Sequence, residues 1–318
     1  MSAVIRVGTC SFADETLTKF WYPRGIRTGE ERLRHYAERF DTVEIDASFH
    51  SLPTVEMTAR WAERTPPGFV FHIKAFAMMT RHPVRAEQLP PDLRGAAQLD
   101  ERGRVEHPSR ELRAEVFARF HTALEPLREA GKLGGVLVQL PPYIVPKPAA
   151  FEYLTWAREE LRSDEMLVEF RHRSWLDEEH RAGVLAFLEE LGAAIVIVDA
   201  PRSPAANVLP TLIAITSGTA YVRMHGRNAR TWNIRGRSAA ERFDYLYSDE
   251  ELREWVEPLR ELSSMSERTY VMFNNNGRST IDGDAEVHRV VAQAPTNAFM
   301  LRRLLQEAGL PVGGSACL

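Results

Sequence analysis

Residues 221–225, Tyr221-Val222-Arg223-Met224-His225, alternate polar and apolar side chains. A period of two is the strand period, so Val222 and Met224 share one face while Tyr221, Arg223 and His225 share the other. Similar short runs rich in β-branched and aromatic residues recur along the chain and predict strands. They stand at 4–8, 42–45, 69–74, 136–139, 167–170, 194–198 and 270–273. Helix-period stripes lie between them. Leu33, Tyr36, Ala37 and Phe40 form one, and Val184, Phe187, Leu188 and Leu191, stopped by Gly192, form another. Ser248 with Glu251 reads as a capping box opening a single helix over Leu252, Trp255, Val256 and Leu259.

Strand-then-helix, eight times in 318 residues, predicts parallel strands with helical crossovers closing as a (β/α)8 TIM barrel. The reading is one domain over 1–318. An open doubly wound sheet is the competitor, but no Gly-x-Gly-x-x-Gly follows any of the strands. Two segments break the rhythm. Residues 81–110, with Pro83, Pro90, Pro91 and Pro108, form a long loop insertion after the third strand, and residues 200–219 replace a regular sixth helix.

Composition narrows the class. The chain is 44% apolar and 26% charged, with a net charge of −4. That balance argues against a surface that is basic throughout, while leaving room for a local basic site. Two cysteines, Cys10 and Cys317, make no disulfide framework, and no run approaches the roughly 18 apolar residues of a membrane span. With no signal-peptide pattern at residues 1–8, the expectation is a cytoplasmic protein without a membrane partner.

Burying the outer face of a parallel barrel under helices sends the polar set inward, to the carboxyl ends of the strands. Those positions are Glu44, Asp46, His72, Lys74, Gln139, Glu169, Arg171, Asp199, Tyr221, Arg223, His225, Asn274 and Asn276. The competing expectation is a self-satisfied network, with Glu44 and Glu169 set against Lys74, Arg171 and Arg223. Several of these residues fall in ordered motifs: Val43-Glu44-Ile45-Asp46, Gln139-Leu140-Pro141-Pro142, Val168-Glu169-Phe170-Arg171-His172 with Trp175, Arg223-Met224-His225-Gly226-Arg227, and Phe273-Asn274-Asn275. With Phe20-Trp21-Tyr22-Pro23 they resemble the YecE-like family, TIM-barrel proteins of unknown function. The resemblance runs from about Gly8 to Asn275. It implies a barrel akin to endonuclease IV and xylose isomerase, but no settled reaction. Cys10-Ser11-Phe12 and Phe49-His50 stand where that family usually has Ser-Gly-Trp and Phe-Tyr.

Glycosidase chemistry needs two carboxyls about 5–9 Å apart, and the usual fourth- and seventh-strand positions here hold Gln139 and His225. A divalent metal would find Glu44, Glu169, Asp199 and His225 as ligands, but Lys74, Arg171 and Arg223 share the mouth, so no metal and no cofactor is expected. Anion recognition fits better. From Ala200 to Ala240 there is no Asp or Glu, yet Arg202, Arg223, Arg227, Arg230, Arg235 and Arg237 all occur. Arginine forks suit phosphate, with Trp232 and Tyr245 available for stacking and Gly226 permitting close approach. Bound phosphate or sulfate is therefore expected.

The resulting expectation is an acid–base enzyme acting on a phosphorylated or nucleotide-like anionic substrate. Glu169 and Glu44 serve as acid and base, and Lys74 and Asn274 stabilise developing charge. Arg171, Arg223, His225, Arg227, Gln139, Asp199 and Trp232 bind the anion. The alternatives are a nucleic-acid-binding or processing protein, and a catalytically silent ligand-binding barrel. On this reading Glu169→Gln leaves stability within about 1 kcal/mol, and Cys10 is an inert buried thiol.

Overall fold

The computed structural model describes residues 2–233, 239–282 and 288–314. Strands β1 (Ile5–Thr9), β2 (Thr42–Ile45), β3 (Val70–Lys74), β4 (Leu133–Gln139), β5 (Met166–Glu169), β6 (Ala194–Asp199), β7 (Thr219–Met224) and β8 (Arg268–Phe273) make one sheet. Their order is β1-β8-β7-β6-β5-β4-β3-β2, and every neighbouring pair is parallel. Helices α1 (Glu15–Phe20), α2 (Gly29–Ala37), α3 (Val55–Glu63), α4 (Arg110–Ala123), α5 (Glu125–Glu129), α6 (Pro148–Leu161), α7 (Arg181–Leu191), α8 (Ala239–Arg242), α9 (Asp249–Arg253), α10 (Val256–Met265) and α11 (Gln293–Glu307) lie between and after the strands. This is the TIM-barrel arrangement that the strand count predicts. None of the described helices is long and apolar enough to cross a membrane.

The barrel closes where β1 meets β2, the two ends of the strand order. A side chain bridges that seam: the Tyr36 hydroxyl donates to Thr42 O (3.1 Å) and accepts from Thr9 N (3.0 Å). Gly8 permits the approach, since a Cβ there would sit 2.4 Å from Thr42 O. Tyr36→Phe therefore leaves a buried backbone N–H unbonded. We expect a loss of about 1–2 kcal/mol, read as a lower urea midpoint. No change in midpoint would assign closure to strand packing alone.

The structure departs from the sequence reading in three places. The helix predicted from Ser248 is two, α9 and α10, because Pro258 has no N–H to donate to Glu254 O and its ring crowds that carbonyl. β4 begins three residues early, where Gly134-Gly135 carry no strand propensity. An antiparallel hairpin, β9 (Arg278–Asp282) with β10 (His288–Ala292), follows the barrel unforeseen. Residues 81–110 are irregular as expected, held by short 3-10 turns and by bridges from Arg85 to Arg104 and from Leu99 to Val105.

Inside the barrel, Leu137, Leu167, Val196, Tyr221, Tyr270 and Met272 pack as an apolar layer. Ile195 and Ile197 of β6 instead join the larger core under the helices. The charged layer lies above the apolar one, at the carboxyl ends of the strands.

Candidate active site

Alternation on β2, β5 and β7 aims Glu44, Glu169 and Arg223 at one point, and all three are fully buried. Arg223 sits between the carboxylates as a fork. Its Nη2 is 2.6 Å from Glu44 Oε1, its Nε 3.1 Å from Glu44 Oε2, and its Nη1 2.5 Å from Glu169 Oε2. Tyr221 OH donates to Glu44 Oε2 (2.8 Å), and Arg171 Nη1 donates to Glu169 Oε1 (2.9 Å). A directed chain of hydrogen bonds reaches the same carboxylate. Asn276 Nδ2 donates to Asn274 Oδ1 (3.3 Å), and Asn274 Nδ2 donates to His225 Nδ1 (2.9 Å). His225 Nε2 then carries its proton toward Glu169 Oε1 (3.2 Å).

Protonation follows from these contacts. Burial alone would raise the Glu169 carboxyl, but Arg223, His225 and Arg171 outweigh it and hold it well below the usual range. Burial leaves Glu44 raised in spite of Arg223. Burial depresses His225 to about 4 against the pull of Glu169, so the imidazole is neutral.

Around this network stands a less committed rim. Lys74 Nζ lies 3.2 Å from Asp46 Oδ1 and 4.9 Å from the centre of the Phe49 ring. The Arg171 guanidinium covers the face of Trp232 at 5.3 Å, with only Nη1 engaged among the described residues. Three buried polar atoms here have no partner among the described residues, Asp14 Oδ2, Trp232 Nε1 and Asn276 Oδ1, while Asp46 Oδ1 is met by the Lys74 and Arg223 cations without a well-aligned hydrogen bond. Asp14 caps α1 through its other oxygen, accepting from Leu17 N (2.9 Å), and Thr16 of that helix bonds Asn276 O (2.8 Å). Burial pushes the Asp14 carboxyl up to about 6, with Asp46 adding repulsion. Burial also raises Asp46, but Lys74 and Arg223 outweigh it and hold that carboxyl below its ordinary value. Two carboxyls at one mouth are thus driven apart in protonation.

Glu44, Lys74, Glu169, Arg171, Arg223, His225 and Asn274 come together as their positions in or just after the strands imply, Trp232 joins them from the loop after β7, and Gln139 lies beside Glu169 in register. Their chemistry differs from the expected roles. Glu44 and Glu169 have all four oxygens bonded, so neither is a free acid or base. Arg223 has no exposed donor for a substrate anion. Glu44, Glu169 and His225 commit their lone pairs and protons to this network, and among the described residues no group of three or more His, Cys, Asp or Glu side chains has the arrangement of a metal site.

Asp199 and Arg227 do not join the mouth. Asp199 shares parity with Ile195 and Ile197, so it points outward. There it accepts from Tyr247 OH (2.8 Å), Trp255 Nε1 (2.9 Å) and Arg227 Nη2 (2.8 Å). Arg227 also pairs with Glu254 at 2.9 Å. Both residues line a separate cavity of about 460 Å³ with Arg202. The acid-free stretch is therefore compensated from distant elements, Arg223 by Glu44 and Glu169, Arg227 by Asp199 and Glu254. Tyr245 bonds Glu251 rather than presenting a stacking face, and the positive φ of Gly226 (87°) faces its Cβ, where a side chain would clash at 2.6 Å. Arg235, Gly236, Arg237 and Cys317 lie outside the described residues. Cys10 is buried, and burial pushes its thiol up, which suits an inert group.

Sequence reasoning passed over Asp14 and His82. The signal for Asp14 was its position as an N-cap residue before Glu15, directly after the first strand. His82 packs edge-on against Phe49 at 4.9 Å, and burial with Lys74 and Arg171 lowers it to about 4.

Comparison with known proteins gives a consistent set of relatives. A family profile described as "Protein of unknown function DUF72" matches residues 6–312. The "UPF0759 protein YunF" of Bacillus subtilis is 30% identical over 250 residues, 78% of this chain and 81% of that protein. A DUF72 family crystal structure from Thermotoga maritima shares 30% identity over 95% of this chain and 99% of its own, with a TM-score of 0.71. One from Enterococcus faecalis shares 24% identity, 95% and 96% coverage, and a TM-score of 0.74.

Proposed function

The chain belongs to the DUF72 family, proteins of unknown function, and on that premise we propose that its barrel mouth is an enzyme site for a phosphorylated or nucleotide-like anion, working by acid–base catalysis. The observation that carries this reading is the pair Asp14 and Asp46. Asp14 has a buried oxygen without a partner among the described residues, Asp46 Oδ1 has ion pairs with Lys74 and Arg223 but no hydrogen bond, and their environments push their protonation in opposite directions. Carboxyls separated in this way divide the roles of acid and base. An anion bound beside Asp14 raises its pKa further and makes it the proton donor, while Asp46, held ionised by Lys74, is the base.

Arg171 supplies the anion contact, with Nε and Nη2 uncommitted among the described residues and its guanidinium held over the Trp232 ring. Lys74 is placed to stabilise developing negative charge. The buried network of Glu44, Glu169, Arg223, His225 and Asn274 is the rigid wall that fixes Arg171.

A thermal-shift screen of phosphorylated compounds tests this. A binder should raise the melting temperature of the wild type, Arg171→Gln should lose most of that shift, and Arg227→Gln should keep it. No binder, or an undiminished shift in Arg171→Gln, removes the proposal.

Asp14→Asn gives a second check. The folded pKa of Asp14 is raised from 3.8 to about 6, so its ionisation opposes folding, and stability falls as pH rises through that window. Asparagine keeps the helix cap and cannot ionise. The variant should gain about 1–2 kcal/mol at pH 7 and nothing at pH 3, by urea titration. A loss at pH 7 would make Asp14 purely structural.

A further inference from the structure

The 81–110 insertion, together with α4 and α6, builds a second basic pocket. Two adjoining cavities of about 320 and 410 Å³ share His107, Pro108 and Arg113. Three guanidinium groups stand over two aromatic rings. Arg81 and Arg113 lie 5.2 and 5.6 Å from the centre of the Tyr153 ring, and Arg110 lies 5.4 Å from that of Trp156. Cation–π contact orients an arginine without neutralising it. None of the three has a carboxylate partner among the described residues, and Arg113 Nε is buried without a hydrogen bond.

Nearby acids do not answer this charge. Asp100 is taken by Arg104 (2.8 Å) and by the backbone N–H groups of Arg102 and Arg104. Glu106 pairs loosely with His107 at 3.8 Å, and Glu152 lines the larger cavity at an exposed position without an ion pair among the described residues. The backbone is strained at the same place. Arg81 (φ 63°) and His107 (φ 43°) are two of the three non-glycine residues with positive φ among those described. Left-handed backbone is unfavourable at such residues and gathers at binding sites.

The geometry points to a second oxyanion site here, for the phosphate or pyrophosphate group of a ligand, held by Arg81, Arg113 and Arg110. This goes beyond the mouth reading and stands whether or not that reading does. Arg81 and Arg113 line the smaller cavity and Arg110 and Arg113 the larger, so Arg113 joins two pairs of guanidinium groups that match the several acceptor oxygens of a phosphoryl group. Stacking on Tyr153 and Trp156 limits the side-chain entropy lost when they bind.

Inorganic pyrophosphate titrated into the full chain, followed by tryptophan fluorescence, tests the site. Trp156 lies in this pocket's wall and Trp232 lies under Arg171 at the mouth, so Trp156→Phe and Trp232→Phe separate the two signals. The expected result is a saturable change that vanishes in Trp156→Phe and weakens with added salt. Arg81→Gln with Arg113→Gln should weaken binding tenfold or more, and Arg171→Gln should leave the Trp156 signal unchanged. Should the double variant fail to fold, Arg110→Gln, altered at an exposed residue, must weaken binding at least threefold. No saturable Trp156 signal, wild-type affinity in the folded arginine variants, or loss of that signal in Arg171→Gln would each overturn the assignment. A Trp232 signal without a Trp156 signal would overturn it and leave the mouth reading intact.

Discussion

Replacing Arg223 with methionine is expected to cost about 3–5 kcal/mol of folding free energy, the usual penalty for leaving buried charge unpaired. Arg223 is wholly buried and is the shared cation of Glu44 and Glu169. Without it, two carboxylates face each other in the barrel interior, answered only by Tyr221, Arg171 and His225. The triple variant Arg223→Met, Glu44→Gln, Glu169→Gln removes the charges together and should recover most of the loss, because a cavity of similar volume then holds neutral groups. Urea unfolding at pH 7 measures both. A single-variant cost below about 1 kcal/mol would mean that water reaches the site and that the ion pairs are not sealed. The sequence reading placed Arg223 among the residues that bind the anion. On the proposed reading that role falls to Arg171, whose Nε and Nη2 are unengaged among the described residues.

Glu169→Gln should cost about 2–4 kcal/mol at pH 7, against the near-neutral change that a catalytic acid would give. An amide offers one acceptor oxygen where Glu169 presents two, to Arg223, Arg171 and His225. Its NH2 must also turn toward another donor. The pH dependence has a definite sign. The folded pKa of Glu169 lies well below 4.5, so its contribution is fully present above that unfolded value and is lost as pH falls through the folded one. The gap between wild type and variant should be widest at neutral pH and narrow below about 4. Glu44, raised by burial, has the opposite sign, so Glu44→Gln should cost less than Glu169→Gln. Equal costs at all pH values would show that the Glu169 carboxyl titrates alike in the folded and unfolded chain.

Strand identity was legible because each strand here is a local pattern, a few β-branched or aromatic residues at period two. The inward direction of Glu44, Glu169, Arg223 and His225 was legible for the same reason, since parity is set by the backbone of a single strand. Asp199 shows where parity misleads. Its strand is apolar on both faces, Val196 and Val198 inward and Ile195 and Ile197 outward, so the sequence offers no contrast to say which way it turns.

What the sequence determined by itself, then, is the barrel, the eight strands and the set of polar side chains at their carboxyl ends. All of these follow from local periodicity and from the need to cover a parallel sheet with helices. What only the tertiary structure decided is which of those side chains are already satisfied. Glu169 finds Arg223 across 54 residues and Glu44 finds it across 179. Asp14 is coupled to Asp46 only because α1 folds over the mouth. The energy of a buried charge depends on distances in space and on exclusion of water, neither of which is written in residue order. The same list of carboxylates and arginines therefore reads as a catalytic set in sequence and, once folded, divides into a sealed wall and a rim with polar atoms to spare.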